Sequence, residues 1–318
     1  VFESLQVSVK KIVVLGTGGT IAGTASSADD NVGYTAAQVG VAQLLAAIPT
    51  LQGLPLHTEQ VAQLDSKDMT FEVWRLLAAR CAHWLAQDDV QGLVITHGTD
   101  TLEETAFFLQ AVLAPAKPVV LACAMRPSTA IAPDGPQNLI DAVNVALCAP
   151  ARGVVAVCAG VIHGAADVQK VHTYRLDAFG SGDAGPIGYV EEGAVRLLRA
   201  WPQGDVQAAG RALAAVARVT AMPPVEIVMS HAAATGAVVR ALVALGVRGI
   251  VVAATGNGTV HTELREVLRQ ARAAGVRVVR ATRCANGRVL PAAADDLPHS
   301  AGLSPVKARI ALALELMD

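Results

Sequence analysis

The stretch Lys11-Ile12-Val13-Val14-Leu15-Gly16-Thr17-Gly18-Gly19-Thr20 decides the fold. Its first half is apolar, short and closed by a glycine, which is typical of a strand buried on both faces. Further runs of this kind alternate with helical patterns along the chain, at 92–96, 118–123, 153–158, 225–229, 249–253 and 276–281. This alternation predicts parallel sheets covered by helices, that is, an α/β fold.

Two domains are expected, because 318 residues exceed the size at which one core usually keeps growing. The segment 201–224 is rich in proline and glycine and holds the pair Pro223-Pro224, which resists both helix and central strand. It is predicted to connect a larger N-terminal domain, 1–200, to a smaller C-terminal α/β domain, 225–318. Helices are predicted at 71–85 and at about 101–113 from their apolar spacing.

The composition narrows the class of protein. With 53% hydrophobic and 16% charged residues the chain can build packed cores, and its net charge of -2 argues against nucleic acid or an anionic membrane as partner. No apolar run reaches the roughly 20 residues that span a bilayer. The start shows no signal-peptide pattern, so we expect a soluble protein of the cytoplasm, or of the periplasm if a signal peptide was removed before residue 1. The five cysteines are scattered, and no disulfide framework is expected.

The glycine-rich turn around Thr17 is the first candidate for chemistry. Its glycines let the backbone turn sharply and leave little bulk around the Thr17 hydroxyl. A hydroxyl at the carboxyl end of a parallel strand lies where open α/β sheets bind ligands. A dinucleotide-binding oxidoreductase is disfavoured, because the third glycine of its fingerprint falls at Ile21, and a phosphate loop lacks its Gly-Lys-Ser/Thr. Taken alone, the turn leaves a catalytic threonine and a plain glycine turn both open.

A second threonine-bearing turn follows the run 92–96, as His97-Gly98-Thr99-Asp100-Thr101. It leads into a helix with Glu103 and Glu104 in its first turn. Free backbone N–H groups at such a junction favour an anionic ligand or a developing oxyanion. Asp100 alone could be a helix cap. Two threonine-bearing turns on neighbouring strands, however, favour catalysis.

With these two segments the sequence resembles the bacterial L-asparaginases and glutaminase-asparaginases. The likeness covers essentially the whole chain and continues through further segments, at Asp68-Met69, Ala124-Met125-Arg126-Pro127-Ser128, Asp134-Gly135-Pro136, Asn138-Leu139 and Gly256-Asn257-Gly258. The resemblance implies an amidohydrolase that converts L-asparagine to L-aspartate and ammonia through a threonine acyl-enzyme, without cofactor or metal. It also implies a flavodoxin-like larger domain, and a homotetramer, a dimer of dimers, in which the C-terminal domain completes a neighbour's site.

The resemblance assigns catalytic roles by position. Thr17 is the nucleophile, and because an alcohol is a poor nucleophile at neutral pH, a base must assist it. One candidate is Tyr34, on a mobile loop over the site. The other is the pair Thr99 and Lys170, with Asp100 nearby, since a lysine desolvated in a closed pocket can accept a proton. The sequence leaves both candidates open.

The substrate-binding positions show departures from the family pattern. Ser66 matches the residue that holds the substrate α-carboxylate, and Asp100 the residue that holds the α-ammonium. Lys67 replaces a Gln or Glu that helps to bind this ammonium, and its charge would repel the ammonium unless the side chain turns to solvent. Thr259 replaces Asn or Ser and keeps a hydroxyl. His97 is predicted to be structural.

A third departure is Ala293, which stands where the family has a glutamate that reaches the neighbouring subunit's site. These changes spare Thr17 and both bases but affect the shell that recognises the α-amino group. Two alternatives therefore stay open. One is the same chemistry on glutamine or on an amino-modified asparagine-like amide, and the other is a non-catalytic amino-acid-binding protein.

Overall fold

The computed structural model describes residues 10–292 and 297–317, and these form two compact units. One unit comprises the described residues through Ser181 together with Gly185–Val206. The other comprises Gly182–Ala184 together with the described residues from Gln207 onward. The range 201–224 contains a helix, α5 (Val206–Arg218), and the division falls at its first residue.

Ten strands belong to the first unit. In chain order they are β1 (Lys11–Gly18), β2 (Leu56–Leu64), β3 (Val90–Thr96), β4 (Pro118–Ala122), β5 (Gly153–Cys158), β6 (Val161–Gly164), β7 (Gln169–Lys170), β8 (Phe179–Gly180), β9 (Gly188–Glu191) and β10 (Ala194–Leu197). Eight of them form one sheet in the order β10-β9-β6-β5-β4-β3-β1-β2, and β7 pairs with β8 separately.

The sheet is parallel over the order β2-β1-β3-β4-β5, which is the flavodoxin-like order. The remaining strands β6, β9 and β10 add an antiparallel edge. Because the chain passes from β1 to β2 on one side and then to β3 on the other, the strand order reverses between β1 and β3. In open α/β sheets a ligand crevice forms at the carboxyl ends of strands at such a point. The predicted α/β class, with a mostly parallel first sheet, is confirmed.

Helices cover both faces of this sheet. They are α1 (Val41–Ala46), α2 (Phe71–Leu85), α3 (Leu102–Leu113) and α4 (Gly135–Leu147), so both predicted helices are present. Apolar side chains of α1 and α4 share one core cluster with Ile12 and Val14 of β1. Helices α2 and α3 pack together, where Trp74 Nε1 donates to Thr105 Oγ1 at 2.8 Å. The layers on both faces explain why β1 is buried along almost all of its length.

The second unit has a parallel three-stranded sheet in the order β11-β12-β13. Its elements after α5 are β11 (Val225–Met229), α6 (Ala237–Ala244), β12 (Gly249–Ala254), α7 (Thr262–Ala273), β13 (Arg277–Thr282) and α8 (Pro305–Glu315). Side chains of α6 and α7 pack in one core cluster with alternate residues of the strands, and α8 packs in another. The smaller C-terminal α/β fold is confirmed.

The sequence patterns missed β2 and the antiparallel edge. No residue of β2 is fully buried, and its exposure does not alternate regularly, because it lies at the edge of the sheet. The edge strands β6, β9 and β10 are four residues each, too short to show a period.

Among residues 10–292 and 297–317, no helix has the length and apolar character needed to cross a bilayer.

Candidate active site

Thr17 lies at the carboxyl end of β1, where the pairing with β2 shifts register between Gly16 and Gly18. Irregularities of this kind re-aim a side chain at a strand end. The residue is only 2% exposed, and its Oγ1 donates to the carbonyl oxygen of Thr96, the last residue of β3, at 2.7 Å. The hydroxyl is therefore held at the crevice between β1 and β3, and its proton is engaged in a hydrogen bond.

The turns after β1 and β3 touch backbone to backbone. Gly19 has φ +83°, a conformation that favours glycine, and a Cβ added there would overlap the backbone of Gly98. A Cβ added at Gly98 would overlap the side chain of Ser66. Glycine at both positions thus allows three segments of the site to meet at close range.

Lys170 joins Thr99 and Asp100. Its Nζ donates to Thr99 Oγ1 at 2.8 Å and to Asp100 Oδ1 at 2.6 Å. The Thr99 residue is buried, and the Lys170 side chain is 20% exposed, whereas that of Asp100 is 53% exposed. The predicted threonine–lysine pair is therefore assembled, although 71 residues separate its members in sequence. The carboxylate of Asp100 keeps a face towards solvent, from which a ligand can approach.

Ser66 is buried next to the turn after β3. Its Oγ accepts a hydrogen bond from the backbone N–H of Asp100 at 3.2 Å. Its carbonyl oxygen accepts one from Thr101 Oγ1 at 2.8 Å. The structure thus brings Ser66 together with Thr99, Asp100 and Lys170, as their proposed roles require.

Lys67 is paired with two carboxylates close to it in sequence. Its side chain is 60% exposed, and its Nζ donates to Asp65 Oδ2 at 2.8 Å and to Asp68 Oδ2 at 2.9 Å. These two hydrogen bonds, Asp65 first, raise the pKa of Lys67 above its usual value. One ammonium between two carboxylates leaves a net charge of about -1, so the site does not face an isolated cation.

Tyr34 is half-buried in the loop that follows the first turn. Its hydroxyl lies 2.6 Å from Thr20 Oγ1, three residues beyond Thr17. Backbone hydrogen bonds between Thr24 and Thr35, 2.9 Å in both directions, close the base of the loop. The Tyr34 hydroxyl therefore reaches the turn that carries Thr17, and Thr20 is its partner there.

His97 is completely buried behind the turn. Its Nδ1 lies 2.7 Å from the carbonyl oxygen of Gly98, and its Nε2 has no hydrogen-bond partner among the described residues. Burial lowers the pKa of His97 to about 4, so the ring is neutral near pH 7. A neutral ring bonded to the turn backbone agrees with the predicted structural role.

A cleft of about 440 Å³ opens beside the Lys170–Asp100 pair, lined by Asp100, Lys170, Val171, His172 and Thr173. Within residues 10–292 and 297–317, no group of three or more His, Cys, Asp or Glu side chains is placed to hold a metal ion. The five cysteines are free thiols.

Two functional candidates were not predicted from the sequence. Thr20 lies inside the quoted stretch but showed no signal that it would meet Tyr34. Glu103, seen in the sequence only as part of a helix start, accepts a hydrogen bond from the backbone N–H of Lys170 at 3.1 Å. No local pattern identifies this contact, because 67 residues separate the two.

The remaining predicted positions lie elsewhere. Thr259 belongs to the second unit, in a turn where its Oγ1 lies 2.7 Å from Thr255 Oγ1. Ala293 lies outside the described residues.

Comparison with known proteins matches both parts of the chain. The family described as "Asparaginase, N-terminal" matches residues 11–203, and "Glutaminase/Asparaginase C-terminal domain" matches residues 224–317. The chain is 37% identical to L-asparaginase 2 of Escherichia coli, over 99% of this chain and 91% of that protein. It is 38% identical to the glutaminase-asparaginase of Pseudomonas aeruginosa, over 98% and 87%.

A solved structure is also similar. The crystal structure of a probable cytoplasmic L-asparaginase from Campylobacter jejuni aligns with a TM-score of 0.90 at 37% identity. The alignment covers 97% of this chain and 95% of that one. The likeness therefore extends over both units of the fold and well beyond the two threonine-bearing turns.

Proposed function

The chain belongs to the asparaginase family, and on that premise we propose that it hydrolyses the side-chain amide of L-asparagine with Thr17 as nucleophile. One observation carries the proposal. The hydroxyl of Thr17 and the Lys170-bonded hydroxyl of Thr99 lie at the carboxyl ends of the neighbouring strands β1 and β3. A hydroxyl, a second hydroxyl bonded to an amine and a carboxylate at neighbouring strand ends support this role for Thr17.

The reaction is a two-step acyl transfer. Thr17 Oγ1 attacks the amide carbon, and the carbonyl oxygen becomes an oxyanion. The C–N bond then breaks, and the nitrogen leaves as ammonia after taking up the proton that Thr17 loses. Water adds to the resulting ester, the bond to Thr17 breaks, and aspartate and the Thr17 hydroxyl are released. Each step needs a group that takes a proton and returns it.

We propose Thr99 and Lys170 as the proton-transfer pair, because their 2.8 Å contact is already formed. Lys170 acts as a base only in its neutral form, because an ammonium group has no lone pair that could accept a proton. Tyr34 then covers the site, with its hydroxyl held at Thr20. This assignment gives Lys170 the larger catalytic role and Tyr34 the smaller one.

Substrate recognition follows from the groups around the crevice. The Ser66 hydroxyl and the backbone N–H groups at the start of α3 face the α-carboxylate, and the exposed side of Asp100 takes the α-ammonium. Lys67 is already paired with two aspartates and does not oppose the ammonium. We therefore propose L-asparagine as the preferred substrate, ahead of glutamine and of amino-modified relatives.

The substrate is tested by measuring ammonia release from L-asparagine, L-glutamine, succinamic acid and N-acylated asparagine. We expect the highest kcat/KM with L-asparagine. A higher value for N-acylated asparagine or for succinamic acid would show that the α-ammonium is not recognised.

The mechanism is tested with Thr17→Ala. Without a nucleophile, turnover should fall by about 10³-fold or more, while the thermal midpoint stays close to that of the wild type. Thr50→Ala, at an exposed position elsewhere in the chain, is the control for a general effect of losing a threonine. Aspartate binding that survives in an inactive Thr17→Ala protein supports catalysis, whereas wild-type turnover in this variant refutes it. If the wild-type chain binds aspartate but hydrolyses none of the four amides, it is a non-catalytic amino-acid-binding protein.

We further propose a homotetramer, a dimer of dimers, in which the C-terminal domain completes a neighbour's site. Light scattering should then give four times the chain mass of 32.7 kDa. A monomer with full activity would contradict the shared site. We place the protein in the cytoplasm, or in the periplasm if a signal peptide precedes residue 1, and cell fractionation separates these two.

A further inference from the structure

Lys170 lies on a segment that has little support of its own. Strand β7 has two residues, and among the described residues it pairs with the two-residue β8 in a separate two-stranded sheet. The connection between them is largely exposed, with Val171 56% and Tyr174 57% accessible. An isolated two-stranded ribbon is marginally stable in water. The pairing of β7 with β8 is therefore a weak restraint on where Lys170 sits.

The first turn of α3 supplies a second restraint. Glu103 Oε1 accepts a hydrogen bond from the backbone N–H of Lys170 at 3.1 Å. The Nζ of the same lysine bonds to Thr99 and Asp100, which immediately precede α3. One short segment, 99–103, thus contacts both the main chain and the side-chain end of Lys170.

We propose that Glu103 is a positioning residue, which holds the main chain of Lys170 so that its Nζ reaches Thr99. The inference rests on the proposed role of Lys170 in proton transfer. A hydrogen bond from a backbone N–H to a carboxylate is charge-assisted and stronger than one to a neutral acceptor. Position 103 also lies at the N-terminal end of α3, where a carboxylate is favoured. Glu104 lies in the same first turn of α3, so Glu104→Met controls for the loss of a carboxylate at this helix end.

Loss of the acceptor should loosen β7 and displace the Lys170 amine. A displacement of about 1 Å in a reacting group can cost on the order of 10²-fold in rate. We therefore expect Glu103→Met, which keeps side-chain length but removes the acceptor, to lower kcat about 10- to 100-fold. The KM for asparagine should change less, because Ser66 is untouched. Glu103→Gln keeps an acceptor oxygen and should retain kcat within about 3-fold.

The experiment compares Glu103→Met, Glu103→Gln and Lys170→Met, the double variant Glu103→Met/Lys170→Met, and the control Glu104→Met. If Glu103 acts through Lys170, adding Glu103→Met to Lys170→Met lowers kcat no further, and Glu104→Met stays near wild type. Additive losses, or a Glu103→Gln variant as slow as Glu103→Met, overturn the proposal. If Lys170→Met is inactive while Glu103→Met is fully active, the proposal for Glu103 is overturned and the proposed role of Lys170 stands. Wild-type turnover in Lys170→Met removes the proposed role of Lys170 and the inference with it.

Amide hydrogen exchange gives a readout that does not depend on activity. The Lys170 N–H should exchange at least about 10-fold faster in Glu103→Met than in the wild type, and Glu103→Gln should restore protection. Unchanged protection of Lys170 in Glu103→Met overturns the proposal. If the Met variant is too unstable to purify, the nearly isosteric Gln variant still tests the proposal, because loss of Lys170 protection in Glu103→Gln would overturn it.

Discussion

Two kinds of segment build the candidate site, and they are held in different ways. The strand-end turns, 16–20 and 97–101, follow central parallel strands and are buried, with Thr17 2% and Thr99 6% exposed. The approach segments, the loop 24–35 and the hairpin 169–180, are more exposed and reach the turns through side chains. Tyr34 meets Thr20, and Lys170 meets Thr99.

The difference separates what holds Thr17 in position from the contacts that we propose to activate it. Backbone pairing on both sides of β1 and the glycine contact between the turns hold Thr17 wherever the approach segments lie. The partners that we propose for proton transfer, Lys170 and Tyr34, are held by a few side-chain hydrogen bonds. Changes that disturb the backbone contact between the turns should therefore damage the fold and the reaction together, whereas changes in the approach segments should affect turnover alone.

The largest effect is expected from Gly19→Ala. The new Cβ overlaps the backbone of Gly98 and also strains a residue with φ +83°, so unfolding free energy should fall by more than about 3 kcal/mol and activity should be lost. Gly53→Ala is the matched control, since Gly53 has φ +86° and a Cβ there meets nothing within 4 Å. It should cost only about 1 kcal/mol in urea unfolding. Equal losses in the two variants would mean that contact between the turns is unimportant.

The next effect is a pH dependence of stability from His97. Its pKa in the folded protein is about 4, below the usual 6.5, so the unfolded chain takes up the proton first. Stability is then full above pH 6.5 and falls by up to about 3 kcal/mol as the pH drops to 4. His97→Gln should flatten this part of the profile of unfolding free energy, and His83→Gln, at an exposed position, should leave it unchanged. An unaltered slope in His97→Gln would assign the effect to other groups.

A smaller effect, on turnover alone, is expected in the loop 24–35. Tyr34→Phe removes the hydroxyl that meets Thr20 and should lower kcat about 10-fold, less than Lys170→Met. Thr20→Val removes the other partner and should cost about the same, and the double variant no more than either change alone. If Tyr34→Phe is slower than Lys170→Met, then Tyr34 is the main base.

The smallest effect is expected at Lys67, the exposed residue that follows Ser66. Replacement by Gln removes an exposed cation and leaves the carboxylates of Asp65 and Asp68. Because the α-amino group of L-asparagine is cationic, the KM for L-asparagine should fall slightly, within about 3-fold. The change should shrink in 0.5 M salt, because screening weakens interactions between exposed charges. A rise in KM would show that Lys67 contacts the substrate directly.

Several features of the site could be read from the sequence because they are local. Thr17 follows directly on a run of buried residues, and Thr99 and Asp100 lie between a strand and a helix start. The alternation of strands and helices places both turns at the same edge of a parallel sheet. The family likeness supplied Lys170 and Tyr34, which no local pattern identifies.

By itself the sequence determined the α/β class, the two threonine-bearing turns and the family, since residue type and spacing carry those signals. Only the tertiary structure decided that Tyr34 meets Thr20 and that Glu103 accepts the backbone N–H of Lys170. The physical reason is that such contacts depend on which chain segments approach one another in space. Hydrogen bonds between residues 67 and 71 positions apart leave no periodic trace in a single sequence.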